Sequence, residues 1–569
     1  MRYRQNLTYQ QIFVLAMIAL FFAACNGSVA EKQSEIIEKP EQMDAAITRN
    51  LKSFISNAVE NNGMLTDSVK LQSYESVYQF YKKNEFANIW SKQELLLPVA
   101  DTLIQFIGNC KLYGLFPKEY HQNQLQALQQ LFNLDTLAQS SRRDAVLWTK
   151  ADILLTDAFL SIAKHIHKGR LQTDSIYKSF DSSLGQTYYH QFLNEAVHKG
   201  SVHEIFSKLE PKHKAYHELK KAIKPFLDSA NFSQQYTYLS YPYKDSVSFV
   251  KSLIQRLKEE NYIDSAVFNL DSTGLKQALI KVQKQRKLTV DGKFGNQLVS
   301  SLNSSDIEKF TRIAINLDRY KLMPDTLPVR YIWVNLPSFY MQVMDHDSLV
   351  FESKVVVGKV KTRTPLLSSI ITDMVTYPQW TIPNSIIIKE ILPALKKNPG
   401  YLAKKGYHLA TWKGEEVDPY SVNWSKYTKG IPYKIVQGSG DDNALGIMKF
   451  NFPNKYSVYM HDTNQRYLFK NDNRSLSHGC VRVQQWEQLV WYISGLDSVA
   501  AVERNMKSLP TDSMRNWLQR KEKHVIPVKT KLPVYFRYFT AVGKNGKLVF
   551  YNDIYNEDRL AREGFFSNK

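Results

Sequence analysis

His461 and Cys480 are the residues of this chain whose types and setting suit nucleophilic acyl transfer. Cys480 stands in the run Ser477-His478-Gly479-Cys480-Val481-Arg482. His461 lies upstream in Met460-His461-Asp462, with a polar stretch through Asn471-Asp472-Asn473-Arg474 between them. A thiol with a pKa near about 8.5 is mostly protonated at neutral pH, and a neighbouring imidazole that takes its proton leaves a thiolate. A third group must orient that imidazole, either a carboxylate such as Asp462 or a backbone carbonyl. Gly479 allows close backbone approach. The amides from His478 to Cys480 could form an oxyanion pocket, where one donor is worth about 3 kcal/mol. By residue type alone, a buried structural thiol stands level with this reading. No metal is expected, because neither a second cysteine nor three further ligands accompany Cys480.

These residues need a rigid frame. Val329 to Val334, Phe339 to Met344 and Leu349 to Val357 alternate and are rich in β-branched and aromatic residues, which predicts antiparallel strands punctuated by Gly358 and Pro365. Strands resume at Met448-Lys449-Phe450 and Tyr456 to Met460. Between them, Pro383 to Gly406 reads as helical and lysine-rich, and Asp418 to Gly440 as loop. A mixed insertion over 384–440 beside a reactive pair is a candidate lid. Trp424 or Tyr427 would line its groove.

The ordered string of His461, a spacer, Ser477-His478-Gly479-Cys480 and Arg482 closely resembles the signature of the L,D-transpeptidases. Tyr331 to Pro337, Val356-Val357-Gly358-Lys359 with Thr364-Pro365, Pro383 to Ile386, Asn398 to Leu402, Asn443 to Gly446 and Phe452-Pro453-Asn454 resemble its large Gram-negative subfamily. The resemblance implies that Cys480 attacks a donor peptide and His461 acts as base, then as acid. It implies that Asp462 helps through its carbonyl, that Ser477, His478 and Gly479 shape the oxyanion pocket, and that Arg482 holds the loop or a substrate carboxylate. The subfamily often has Ser in place of His478, which ranks below His461 as base. The implied reaction is 3→3 crosslinking of peptidoglycan through a cysteine thioester. D-Ala is released from a tetrapeptide stem, no cofactor is needed, and carbapenems are expected to acylate the same thiol. The same site could serve an L,D-carboxypeptidase, protein-to-wall attachment or cleavage of existing crosslinks. A non-catalytic peptidoglycan-binding scaffold is the remaining alternative.

The rest of the chain fits that order. Its 569 residues predict two to four domains. The predicted class is multidomain α+β: a helical scaffold over 41–240, a small three-helix peptidoglycan-binding-like module over 246–303, a mainly-β catalytic domain over 325–510 and a C-terminal extension over 511–569. In the module, helices are expected at Ser246–Leu257 and Thr273–Gln285. An Asp291-Gly292 turn follows, then a last helix with Asn296 as N-cap. His165, His167 and His190 lack metal-ligand company and read as structural or surface residues. The net charge of +20 is spread along the chain, so nucleic acid is not an expected partner; stem peptides and glycan strands are.

Residues 1–25 read as a lipoprotein-type signal peptide. Arg2 and Arg4 precede an apolar run from Ile12 to Ala24, and Phe22-Ala23-Ala24-Cys25 resembles a lipidation box. A polar linker follows over 26–40. Lipid on Cys25 would place the protein at the periplasmic face of a bacterial membrane. Of the three cysteines, Cys110 sits in an apolar helical pattern and reads as core, so no disulfide framework is expected.

Overall fold

The computed structural model describes residues 34–133, 142–171, 185–267, 270–503 and 511–566. The signal-peptide and Cys25 readings fall outside the described residues. The chain divides into two compact units, one holding residues up to Arg170 with Asp181–Pro211, the other Leu171–Phe180 with Lys212–Lys569.

The first unit is built around the helix Ala145–Lys168, which is apolar or buried on nearly every side. A helix covered all round can keep polar side chains only if they are satisfied. Asp157 accepts from the amides of Gln72 (3.1 Å) and Ser73 (2.7 Å) and pairs with His121 at 2.7 Å. Asp152 accepts from the Tyr81 hydroxyl and the Trp90 amide, and burial pushes its carboxyl up to about 6. Around this axis pack the helices Met43–Glu60, Tyr74–Lys83, Pro98–Asn109, His190–Lys199 and Val202–Leu209. Two small hairpins, β1 (Met64–Thr66) with β2 (Val69–Lys70) and β3 (Ser91–Lys92) with β4 (Leu95–Leu96), interrupt a region expected to be purely helical. Cys110 is fully buried in this core, and burial pushes its thiol up to about 12, as suits an inert packing residue.

The scaffold ends earlier than residue 240. The helix Lys214–Ser229 belongs to the second unit, where Tyr216, Leu219 and Ile223 share a core with Ile313, Leu317, Phe539 and Ala541. Next comes a three-helix module of Ser246–Glu259, Ser272–Gln285 and Asn296–Leu302 around Phe249, Leu253, Leu257, Leu279, Val282 and Leu298. Asp245 and Asp271 cap its first two helices. Gly295 holds the cap position of the third, so Asn296 is its first helical residue rather than its cap.

The catalytic-type domain follows the helix Asp306–Lys321. Its strands are β5 (Arg330–Asn335), β6 (Tyr340–Asp345), β7 (Ser348–Gly358), β8 (Leu367–Ile370), β9 (Asp373–Thr376), β10 (Trp380–Thr381), β11 (Tyr407–Ala410), β12 (Lys434–Gln437), β13 (Met448–Asn451), β14 (Met460–His461), β15 (Ser475–Ser477), β16 (Val481–Val483), β17 (Val525–Pro527) and β18 (Pro533–Arg537); a last hairpin joins β19 (Ala541–Lys544) to β20 (Lys547–Phe550). One eleven-stranded sheet runs β17-β9-β13-β14-β16-β7-β6-β5-β18-β8, with β15 beside β7. The eleven residues of β7 let it pair with β6 early and with β16 and β15 late.

Two boundaries move. Residues 511–569 are not an appendage: β17 pairs with β9, and β18 lies between β5 and β8 with Val534 opposite Ile332. The insertion is more ordered than its Pro/Gly/Ser/Asn content suggested. β10, β12 and β11 form their own three-stranded sheet, packed around Ile387, Leu395, Leu409, Trp424 and Ile435.

Ending the chain after residue 510 would leave β5 and β8 unpaired on facing edges and remove Phe536 from the core. Such a truncation is expected to be insoluble or to lose its near-UV circular dichroism. A soluble, cooperatively unfolding product would contradict the assignment of β18 to the sheet.

Candidate active site

The sheet places the candidate residues by register. β14 runs parallel to β16, with Met460 opposite Val481 and His461 opposite Arg482, and antiparallel to β13, with His461 opposite Lys449. Side chains alternate between faces. Met448, Phe450, Met460, Val481 and Val483 turn into the core. Lys449, Tyr459, His461, Cys480 and Arg482 therefore share the other face, where His461 and Cys480 are diagonal neighbours, a relation long side chains can span.

The loop carrying Cys480 is tied down on every side. Ser477 Oγ donates to the Cys480 carbonyl at 2.6 Å and accepts the Gly479 amide at 3.1 Å. Thr364 Oγ1 donates to the Gly479 carbonyl (2.7 Å), and Thr362 Oγ1 and the Lys359 amide donate to the Ser477 carbonyl (3.0 and 2.9 Å). Tyr555, from the far C-terminus, donates its hydroxyl to the Gly358 carbonyl at 2.7 Å and receives the Thr364 amide. Upstream, Arg474 donates to the carbonyls of Val355, Asn471 and Phe339 and so fixes the exit of the polar stretch. Gly479 has φ 122, in the region that favours glycine; the nearest atom to an added Cβ is 3.6 Å away, so conformation rather than close approach demands this residue.

His461 is buried and neutral. Burial first, then the positive charges of Arg482 and Lys449, push its imidazole down to about 3, against a raising effect of the Asp462 and Leu445 backbone, and its Nδ1 is buried without a hydrogen-bond partner among the described residues. The Asp462 carboxylate is committed elsewhere: it accepts the Ile447 amide (3.1 Å) and Arg466 Nη2 (3.0 Å). Gly446, at φ 62, lies so close to that carboxylate that a Cβ would meet Asp462 Oδ2 at 2.2 Å. The Cys480 thiol is partly exposed. Burial raises its pKa, against the lowering effects of the Tyr459 amide and hydroxyl and of Lys449 and Arg482. At rest the site thus holds a thiol and a neutral imidazole.

The other expected site residues divide. Gly479's amide is already used by Ser477, which removes one of the three donors expected for an oxyanion pocket. Arg482 Nη1 donates to Gln465 Oε1 at 2.8 Å, on the loop joining His461 to Cys480. His478 points to the insertion, where its Nε2 lies 2.6 Å from Glu390 Oε1 on a π-helical turn, Ile387–Ile391. Trp424 does not line a groove: it is buried in the insertion's own core, and its Nε1 donates to the Pro419 carbonyl at 2.8 Å. Tyr427 packs edge-on against Trp424 and Tyr433. Lys449, Tyr459, Thr364 and Tyr555 were not singled out from sequence. For the first two the signal was present, since each alternates with a core residue in Met448-Lys449-Phe450 and Tyr459-Met460-His461.

Two outcomes follow from this geometry. Ser477→Ala removes the hydroxyl that closes the loop and is expected to cost about 1–3 kcal/mol of stability, read by chemical denaturation; an unchanged midpoint would refute the clamp. For His461, the folded pKa lies below the unfolded one, so between roughly 6.5 and 3 the unfolded chain binds a proton that the folded chain refuses, and stability is lost as pH falls through that window. Urea midpoints at about pH 7 and about pH 5 should therefore fall further apart in the wild type than in His461→Gln. Equal separation would contradict the neutral, buried imidazole.

Comparison with known proteins places these residues. Residues 329–503 match the family described as L,D-transpeptidase catalytic domain, and residues 75–223 match the scaffold domain family. A protein of Haemophilus influenzae named "Putative L,D-transpeptidase" is 35% identical over 249 residues, covering 44% of this chain and 48% of the relative. The chain thus spans about half the length of that curated relative. The solved structure of the Ldtfm-avibactam carbamoyl enzyme aligns over 48% of this chain and 83% of its own, at 12% identity and a TM-score of 0.16, too slight a likeness to inform fold or function. The matched segment contains His461, Cys480 and the strands that hold them, so this part of the chain is similar to the L,D-transpeptidase catalytic domain, and the part ahead of it to the scaffold domain.

Proposed function

We propose that the protein is a peptidoglycan L,D-transpeptidase that forms 3→3 crosslinks through a thioester on Cys480. The observation that carries this reading is the placement of His461 and Cys480 on one face of adjacent strands, inside the segment matched to the L,D-transpeptidase catalytic domain.

In this mechanism the Cys480 S–H bond breaks and its proton passes to neutral His461. The sulfur attacks the carbonyl carbon of the amide between the third stem residue and its terminal D-Ala. Because burial disfavours charge on both residues, proton transfer and attack are coupled rather than preceded by a stable ion pair. The amides of His478 and Cys480 receive the oxyanion, since that of Gly479 is engaged. The C–N bond then breaks, and His461 returns its proton to the D-Ala amine. An amine on a second stem attacks the thioester, loses a proton to His461 and displaces the sulfur. The contact between Arg482 and Gln465 keeps the connecting loop in place. The three-helix module would hold glycan strands. Lipid on Cys25 would keep the enzyme at the periplasmic face of a membrane.

The test is the intact mass of the protein after incubation with a carbapenem, paired with analysis of products from tetrapeptide-bearing wall fragments. Wild type should gain one drug mass and Cys480→Ala none. Wild type should also release D-Ala and yield 3→3 dimers. Cleaved tripeptides without dimers would mean a carboxypeptidase, and an adduct that persists in Cys480→Ala would remove Cys480 from the mechanism.

A further inference from the structure

Lys449 is a half-buried ammonium on the face that carries Cys480 and His461. It lies on β13 opposite His461, and its Nζ sits 4.1 Å from the centre of the Tyr459 ring. Burial pushes its pKa down, against the raising effects of Cys480 and Asp373. Among the described residues it makes no ion pair. A desolvated cation held on an aromatic face, with Asp373 acting on it only through space and not in an ion pair, is costly to keep unless a closer anion forms beside it in use.

Tyr459 occupies the place across from Cys480. One residue on, Val481 donates its amide to the Tyr459 carbonyl at 3.1 Å, and the ring packs edge-on against His461 with centroids 5.6 Å apart. The Tyr459 hydroxyl and backbone both pull the Cys480 thiol pKa down, against burial. The other charged groups facing the pair are Arg482 on β16 and, toward the sheet edge, Asp373 on β9 and Lys523.

We infer that Lys449 and Tyr459 together hold the Cys480 thiolate, the ammonium supplying charge through space and the phenol supplying a neutral hydrogen bond to the sulfur. The division matters because His461 is protonated in the same step. Lys449 and Arg482 favour the thiolate but oppose the imidazolium, whereas the Tyr459 hydroxyl stabilises the first without penalising the second. Tyr459 stands across from Cys480 by register, and Lys449 acts from the face of its ring. The inference rests on Cys480 being the nucleophile but not on which amine accepts the acyl group.

The experiment is the pH dependence of Cys480 alkylation by iodoacetamide in the full chain, resolved from Cys25 and Cys110 by peptide mass spectrometry. Lys449→Met keeps the packing stem and removes the charge. It should slow alkylation roughly tenfold near neutral pH and leave the rate at high pH, where the thiol is ionised in any case, unchanged. Lys449→Arg should restore most of the rate. Tyr459→Phe, which keeps the ring, should slow it several-fold. Wild-type profiles in both Lys449→Met and Tyr459→Phe would overturn the inference, even if either variant had lost transferase activity, because that combination means a structural role. If Lys449→Met fails to fold, as its melting would show, the Tyr459→Phe profile alone decides. Slower alkylation in a protein that forms no crosslinks would leave the inference standing and sink the reaction assigned above.

Discussion

Everything at the candidate site depends on the short parallel pairing of β14 with β16. Two residue pairs set it, Met460 with Val481 and His461 with Arg482. A slip of one residue would turn His461 or Cys480 into the core and bring a methionine or valine to the surface. The pairing is too short to be held by its own hydrogen bonds. It is held by buried Met460, Val481 and Val483 beneath it, and by the lattice of Ser477, Thr362 and Thr364 around the cysteine loop. Several of these contacts are between neutral hydroxyls and backbone carbonyls, so the frame brings no charge of its own to the loop.

The same frame explains why the two central groups are both uncharged at rest. Burial is the largest influence on each, raising the thiol and lowering the imidazole. A dry site makes every later charge expensive, and it also makes each compensating dipole count for more. Asp462 illustrates the economy of the arrangement. Its carboxylate is spent on the Ile447 amide and Arg466, and so shapes the loop rather than the imidazole.

Much of this was legible in the chain itself. The strand pattern over 329–357, the three helices of the module and the order His461, Ser477, Gly479, Cys480, Arg482 could be read because each rests on local periodicity or on a contiguous string. What could not be read depends on contacts far apart in sequence. Nothing near Pro533 to Arg537 announces that it pairs with Arg330–Asn335, and Tyr555 gives no hint that its hydroxyl supports Gly358 and Thr364. The assignment of Lys214–Ser229 to the second unit is of the same kind: its apolar face looked like scaffold, and only the partner surface at Phe539 and Ala541 distinguishes the two. Trp424 was misplaced because an aromatic in a loop-like stretch gives no sign of whether it faces solvent or its own small core.

The position of β18 also sets an order of events in synthesis. β5 is made early, yet one of its edges stays open until Val534–Arg537 has emerged, about two hundred residues later, and β8 waits for the same strand. His461 and Cys480 are translated before that closure. A growing chain can therefore hold its entire reactive signature while the sheet that arranges it is still incomplete, with two unsatisfied strand edges that invite wrong partners. Assembly of the sheet around His461 and Cys480 is thereby postponed until the chain has been made past Arg537.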